Sequence, residues 1–325
     1  MDHRPLGRSG LSVAPLVLGG NVFGWTADKP TSFAILDAFV DAGLNGVDTA
    51  DVYSRWAPGH SGGESETVIG EWLAADPGKR ERVLILTKVG GDMGPENMGP
   101  ENGGGGKTLR AAWIEKAVEA SLKRLRTDRI DLYQAHFADP ATPVEETLTA
   151  FDRLVKAGKV RAVGASNYDV PGLRAALDAS ARAGIARYEA LQPEYNLMER
   201  GSFEDGLRDL CLREEVGVIT YFSLAAGFLT GKYRRAEDAG GRAREARVKG
   251  YFDERGMRVL GALDAVAARH GAKPAEVALA WLIAKPGVTA PIASATSVEQ
   301  LASLVRAVSL RLGEEDVRAL DAASA

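Results

Sequence analysis

The feature that most constrains this chain is an alternation. From residue 16 onward, eight short apolar runs are each followed by a stretch with helical spacing. The runs lie at 16–20, at the start of 46–53, and at 83–88, 130–136, 160–167, 190–192, 218–221 and 289–293. Helical patterns fill 31–42, 64–75, 109–125, 143–157, 171–183, 203–216, 254–269 and 274–284, and two more follow at 298–308 and 314–322. Strands alternating with helices specify βαβ units and a parallel sheet. Right-handed crossovers close eight such units into a (β/α)8 barrel of the TIM type, in the α/β class. Two apolar runs flanking Gly7-Arg8-Ser9-Gly10 predict an N-terminal β-hairpin ahead of the barrel. An open doubly wound sheet is the rival. It is disfavoured because no linker-like stretch divides the chain, so one barrel domain over residues 1–325 is the expectation.

Composition excludes several classes. The 325 residues carry 44 acids against 40 bases, a net charge of −4, and no basic run interleaved with aromatics; no nucleic-acid partner is expected. The longest apolar run, 277–284, is too short to span a bilayer, and residues 1–5 lack the apolar core of a signal peptide. No membrane association and a cytoplasmic location are the expectations. The one cysteine, Cys211, sits between leucines in a helical pattern and reads as a buried structural thiol. The four histidines are scattered without metal-ligand spacing, so no metal site is expected. Gly106-Lys107-Thr108 resembles the end of a phosphate loop, but that motif needs glycine where Glu101 stands. Neither a Gly-x-Gly-x-x-Gly opening a helix nor a Gly-x-Ser-x-Gly elbow occurs.

The polar residues at the strand ends carry the functional signal. In a parallel barrel all strand C-termini open onto one face, where the chemistry sits. Here those ends bear Asp48 with Tyr53, then Lys88, His136, Ser166 with Asn167, Gln192, Tyr221 with Ser223, and Ser294. Each has an ordinary explanation alone: a capping aspartate, a snorkelling lysine, a satisfied core histidine, a turn glutamine. Their recurrence on successive strand ends weakens these explanations together. Asp48, Tyr53, Lys88 and His136 suit one task, giving a proton to a carbonyl oxygen as hydride reaches its carbon. A free tyrosine titrates near 10, and a neighbouring ammonium lowers that value. Lys88 is expected to supply the ammonium, Asp48 to hold it, and His136 to orient the carbonyl.

On these residues the chain resembles the aldo-keto reductase family over nearly its full length. The matching pieces are Asp48-Thr49-Ala50 with Tyr53, Thr87-Lys88, the run from Ile130 to His136, Gly164-Ala165-Ser166-Asn167, Gln192-Pro193-Glu194-Tyr195-Asn196, and Ser223 through Gly227 to Thr230-Gly231-Lys232. The resemblance implies an NAD(P)-dependent oxidoreductase with Tyr53, Lys88, Asp48 and His136 as catalytic residues and Tyr53 as proton donor. It implies NADP(H) bound without a Rossmann domain. Ser166, Asn167 and Gln192 would hold the nicotinamide carboxamide, and Tyr221 would stack on the ring. Ser223, Leu224, Gly227, Gly231 and Lys232 would wrap the pyrophosphate, with Gly20, Asn21, Asp48, Ser294, Thr296 and Gln300 completing the cofactor contacts. The last segment departs from the family pattern. Thr296 and Ser297 offer hydroxyls where many relatives place a cation for the 2′-phosphate, which prefers charged, bidentate partners. That leaves NAD(H) or dual use open, with Arg306 as a compensating cation. Trp25 and Trp56 are substrate-contact candidates alongside His136, with the loops at 90–108 and 234–251 as specificity elements.

Three functions follow, in order: a reductase of aldehydes, ketones or sugar carbonyls; an aldose dehydrogenase working in the oxidative direction with NAD(P)+; and a cofactor-binding regulatory subunit with little turnover. The sequence does not fix the substrate or the oligomeric state.

Overall fold

The structure, a computed structural model, describes residues 2–94, 106–241 and 244–325. A two-stranded antiparallel hairpin, β1 (Arg4–Pro5) and β2 (Ser12–Val13), precedes β3 (Val17–Gly19). Seven more strands follow: β4 (Gly46–Asp48), β5 (Leu84–Val89), β6 (Ile130–Ala135), β7 (Val160–Ser166), β8 (Tyr188–Gln192), β9 (Gly217–Thr220) and β10 (Ala290–Ala293). β3 to β10 pair in parallel and close into a barrel, β10 returning to β3. This is the (β/α)8 barrel that the alternation requires.

Helices connect the strands on the outside: α1 (Lys29–Asp41), α2 (Glu64–Ala75), α3 (Gly78–Arg82), α4 (Ala111–Leu125), α5 (Val144–Lys156), α6 (Val170–Ala183), α7 (Gly201–Glu204) and α8 (Leu207–Arg213). α9 (Glu245–Lys249), α10 (Glu254–His270) and α11 (Pro274–Ala284) separate β9 from β10, and α12 (Val298–Ser309) and α13 (Glu314–Ser324) finish the chain. Their starts are written locally. Asp28 accepts from the Thr31 amide at 2.9 Å, with Pro30 in the first turn of α1. Asp169 caps α6 in the same way.

The helix expected over 203–216 is instead two, α7 and α8, broken at Gly206 with φ +93°. That is the left-handed region, where a helix stops and glycine is favoured. α3 was not anticipated; five residues are too few for a periodic pattern to show.

The strand period of two decides what enters the barrel. One apolar cluster fills the interior: Val17, Leu86, Leu132, Ala162, Ala190, Ile219, Ala290 and Ile292, plugged from the hairpin side by Leu6, Leu11 and Val13. Burying each plug leucine contributes ~1.5–3 kcal/mol. Two residues further along β5, β6 and β8, the same inward positions become Lys88, Gln134 and Gln192. Asp48 closes β4 opposite Leu86. The barrel is thus apolar at its floor and polar at the C-terminal rim, and all four of these side chains are buried.

Candidate active site

Lys88 is the centre of the rim. Its side chain is 0 % exposed. Nζ donates to Asp48 Oδ2 at 2.7 Å, to the Thr49 carbonyl at 2.8 Å and to Tyr53 Oη at 3.2 Å. An ammonium has three donors, and all three are used. A snorkelling surface lysine is therefore excluded. Asp48 Oδ1 accepts from Gln192 Nε2 at 2.9 Å, so both its oxygens are engaged. Tyr53 comes five residues after Asp48, on a turn whose Tyr53 carbonyl accepts from the Gly63 amide at 2.8 Å. The His136 ring lies 5.9 Å from the Tyr53 ring, centroid to centroid, and Trp56 lies 5.5 Å from Tyr53 on another side. The four strand-end residues thus converge in space.

Burial sets the electrostatics. Burial pushes the Lys88 ammonium down, but Asp48 and the Tyr53 oxygen outweigh it and hold the group above its ordinary range. Burial likewise pushes the Asp48 carboxyl up; two charge-assisted donors at 2.7 and 2.9 Å keep it the anion of the pair. The sequence reading had the lysine lowering the Tyr53 phenol. Lys88 does pull that way, but burial, reinforced by Asp48, pushes harder, and the phenol sits above its ordinary value. His136 is held well below its usual range, first by burial and then by the Lys88 and Lys107 ammonium groups. Its ring is neutral near pH 7, and Nδ1 is buried without a partner among the described residues.

Around this core lie the remaining rim residues. Ser166 Oγ donates to the Gln192 carbonyl at 2.8 Å. Asn167, at φ 59°, donates to the His136 carbonyl at 2.9 Å and accepts from Tyr221 Oη at 2.7 Å. Gly20 N donates to the Asp48 carbonyl at 2.7 Å, and Ser294 Oγ donates to Asn21 Oδ1 at 2.6 Å. Thr296 is tied to Gln300 Oε1 through both its amide and its hydroxyl, at 3.0 and 3.1 Å. After β9 the chain turns through Leu224, Ala225, Ala226 and Gly227, the last three at φ 46°, 58° and 101°. Successive residues of this kind make a concave turn suited to anions. A Cβ on Gly227 would lie 3.6 Å from Lys232 Nζ, so the ammonium stands over a bare stretch of backbone. Gly231, at φ 71°, ends the turn that follows at 228–230, its amide donating to the Phe228 carbonyl, and packs against Pro274.

Some residues depart from the sequence reading. Arg306 is bonded to Glu276 Oε1 at 2.7 and 3.0 Å and is not available as a compensating cation. The N-cap of α2 is Gly63, not an aspartate, and Asp51 is buried with neither carboxylate oxygen partnered among the described residues. Trp25 packs edge-on to Trp56 at 5.6 Å, and Trp56 is 48 % exposed, so the two form one aromatic wall beside Tyr53. Residues 95–105 of the glycine-rich loop lie outside the described residues. Sequence reasoning gave no role to Gln134, whose Nε2 is buried without a partner beside Gln192, or to Phe137, stacked on His136 at 4.6 Å. The period-two pattern through Leu132 signalled the first; the second follows His136 directly in sequence. Cys211 is buried, and burial alone pushes its thiol up to about 12.

A closed parallel barrel with a buried lysine–carboxylate–phenol cluster at its C-terminal rim defines a class, and comparison agrees with it. The aldo/keto reductase family matches residues 15–325, and the chain belongs to that family. It is an NAD(P)-dependent oxidoreductase acting on carbonyl and alcohol groups. Among its relatives is the uncharacterized oxidoreductase YrpG of Bacillus subtilis, 37 % identical over 99 % of this chain and 95 % of the relative. The protein tas of Escherichia coli is 32 % identical over 99 % and 97 % of the two chains. Norsolorinic acid reductase of Aspergillus flavus is 34 % identical over 98 % of this chain and 80 % of the relative. The residues present fit a dinucleotide: the Gly227 turn and Lys232 suit its phosphates, and the rim amides suit its carboxamide. None of the helices described is long and apolar enough to cross a membrane.

Proposed function

We propose that the protein reduces an aldehyde, ketone or sugar carbonyl to the alcohol, with Tyr53 as proton donor. One observation carries this reading: a fully buried ammonium that donates to a phenol at 3.2 Å while paired with Asp48 at 2.7 Å. A phenol pushed up by burial is protonated near neutrality and so arrives as an acid. Lys88 then stabilises the phenolate left behind, in a low-dielectric site where that charge is worth most. Neutral His136 donates a hydrogen bond to the carbonyl oxygen and orients it. Ser166, Asn167 and Gln192 hold the cofactor's carboxamide, and Tyr221 its ring. Ser223, Leu224, Gly227 and Lys232 hold its pyrophosphate, with Gly20, Asn21, Ser294, Thr296 and Gln300 around the remainder. When bound, NAD(P)H supplies the hydride. Trp25 and Trp56 line the substrate side.

The protonated phenol is the form that carbonyl reduction needs, whereas alcohol oxidation would start from the phenolate that Lys88 stabilises. Arg306, spent on Glu276, supports weak discrimination between NADPH and NADH. The test is a carbonyl panel run with both cofactors on the parent and on Tyr53→Phe. The expected outcome is cofactor affinity retained and turnover down ~10²–10⁴-fold in the variant. The NADPH to NADH ratio of kcat/KM should stay within about tenfold, for want of a charge-assisted partner. Equal turnover in Tyr53→Phe and parent would end the proton-donor assignment.

A further inference from the structure

Among the described residues two cations near the reacting groups, the exposed Lys107 and the half-buried Arg244, have no carboxylate partner. Lys107, on the loop after β5, lies with Nζ 3.5 Å from the centroid of the Phe137 ring, which itself stacks on His136 at 4.6 Å. Lysine, arene and imidazole form one pillar. Arg244, on the loop after β9, has its guanidinium 5.8 Å from the centroid of Phe222. It is half-buried, and its charge is felt at Tyr53. Among the described residues neither cation has an ion-pair partner. The neighbouring acids are committed elsewhere. Glu194 is bonded to Arg247, Asp92 lies 4.0 Å from Arg55, and Asp139 accepts from Leu109 N, Ala141 N and Thr142 Oγ1.

Topology makes the pair informative. β5 and β9 are four strands apart in an eight-stranded barrel, so their loops rise from opposite sides of the mouth. Yet Lys107 stacks through Phe137 onto His136, the Arg244 charge is felt at Tyr53, and the His136 and Tyr53 rings are edge-on neighbours 5.9 Å apart, centroid to centroid. A half-buried arginine without a counter-ion is costly unless a ligand provides one. The dinucleotide does not account for both cations. Lys107 stands across the barrel from the Gly227 turn, where Lys232 already serves the pyrophosphate.

We propose that the substrate of this site carries an anionic group, a carboxylate or a phosphate, close to its reactive carbonyl, and that Lys107 and Arg244 select it. This rests on the reductase reading above and deepens it. The carbonyl faces Tyr53 and His136, and the anion replaces the missing counter-ion at the rim. Polar recognition of this kind discriminates strongly, because the analogue without the charge leaves the cations unpaired.

The experiment uses matched pairs: 4-oxobutanoate with its methyl ester, 4-carboxybenzaldehyde with its methyl ester, and glyceraldehyde 3-phosphate with glyceraldehyde. kcat/KM is measured for each with the parent, Lys107→Gln, Arg244→Gln and the double variant, and NADPH and NADH affinities are measured by titration. The parent should prefer the charged member of at least one pair by tenfold or more, and each single variant should lower that preference about tenfold. The carboxylate and phosphate pairs separate the two anions. No preference in any pair, or a preference the variants leave intact, overturns the proposal while the reductase reading stands. A loss of cofactor affinity in Arg244→Gln with an unchanged preference assigns that arginine to the dinucleotide and also overturns it. If no carbonyl is reduced with either cofactor, the reductase reading itself fails, and this inference with it.

Discussion

At the N-terminal end of the barrel, Asp131 on β6 accepts from Arg80 Nη2, Arg161 Nη1 and the Ile85 amide, each at 2.8 Å. Arg80 spends its other donors on Thr127 Oγ1 and the carbonyls of Val83 and Arg129. At the C-terminal end, Lys88, Asp48 and Tyr53 form the more deeply buried cluster, with Arg161 of the other one half-exposed, but its neighbours are incomplete. Among the described residues His136 Nδ1 and Gln134 Nε2 have no partner, and Tyr53 Oη has a single hydrogen bond, from Lys88. The same physics governs both ends: a buried charge costs several kcal/mol unless paired. The saturated cluster is a brace. The incomplete one keeps hydrogen-bonding capacity in reserve for ligands, as functional sites commonly do.

The contrast can be broken most sharply with Asp131→Ala. It leaves Arg80 and the Ile85 amide unpaired, and the expected loss is about 3–5 kcal/mol in denaturant unfolding. Turnover per folded molecule should hold. Near-parental stability would show that the brace is no brace. His136→Ala is the converse: an unfolding midpoint close to parent, turnover down ~10²-fold, and cofactor affinity kept. Because burial and two ammonium groups keep His136 neutral, the parental rate should show no imidazole titration between pH 6 and 8. A rate that tracks such a titration would contradict the neutral donor.

The smallest effect sharpens the comparison at Asp51, a third buried acid whose carboxylate oxygens have no partner among the described residues. Burial, and then the Glu66 carboxylate, push its pKa from 3.8 to about 8. The folded protein keeps the Asp51 proton where the unfolded chain has released it. Stability from this group therefore falls as pH rises from 3.8 toward 8, and the penalty is complete above that range. Asp51→Asn should be the more stable protein at pH 8, by ~1 kcal/mol or more, with the gap closing toward pH 4. A gap independent of pH would mean that Asp51 is ionised in the fold.

What the sequence disclosed and what it hid divide along physical lines. The barrel was legible because strand and helix periods alternate eight times. Asp48, Lys88, His136 and Gln192 were legible because parallel strands must end on one face. The direction of the Tyr53 shift was not, since the cost of burial depends on three-dimensional surroundings while the lysine's pull follows from proximity alone. Arg306 read as a free cation because its partner, Glu276, is thirty residues away on another helix. Gly206 divided an otherwise periodic helix through a backbone angle that the apolar pattern does not record. Lys107 and Arg244 lay inside loops already singled out. Only the closed order of strands shows that those loops face each other.

The hairpin that stoppers the barrel floor has a consequence for traffic. With Leu6, Leu11 and Val13 packed into one end, nothing passes through the cylinder, and the opposite mouth is the single doorway. A ligand that settles against the rim therefore enters and leaves by the same opening.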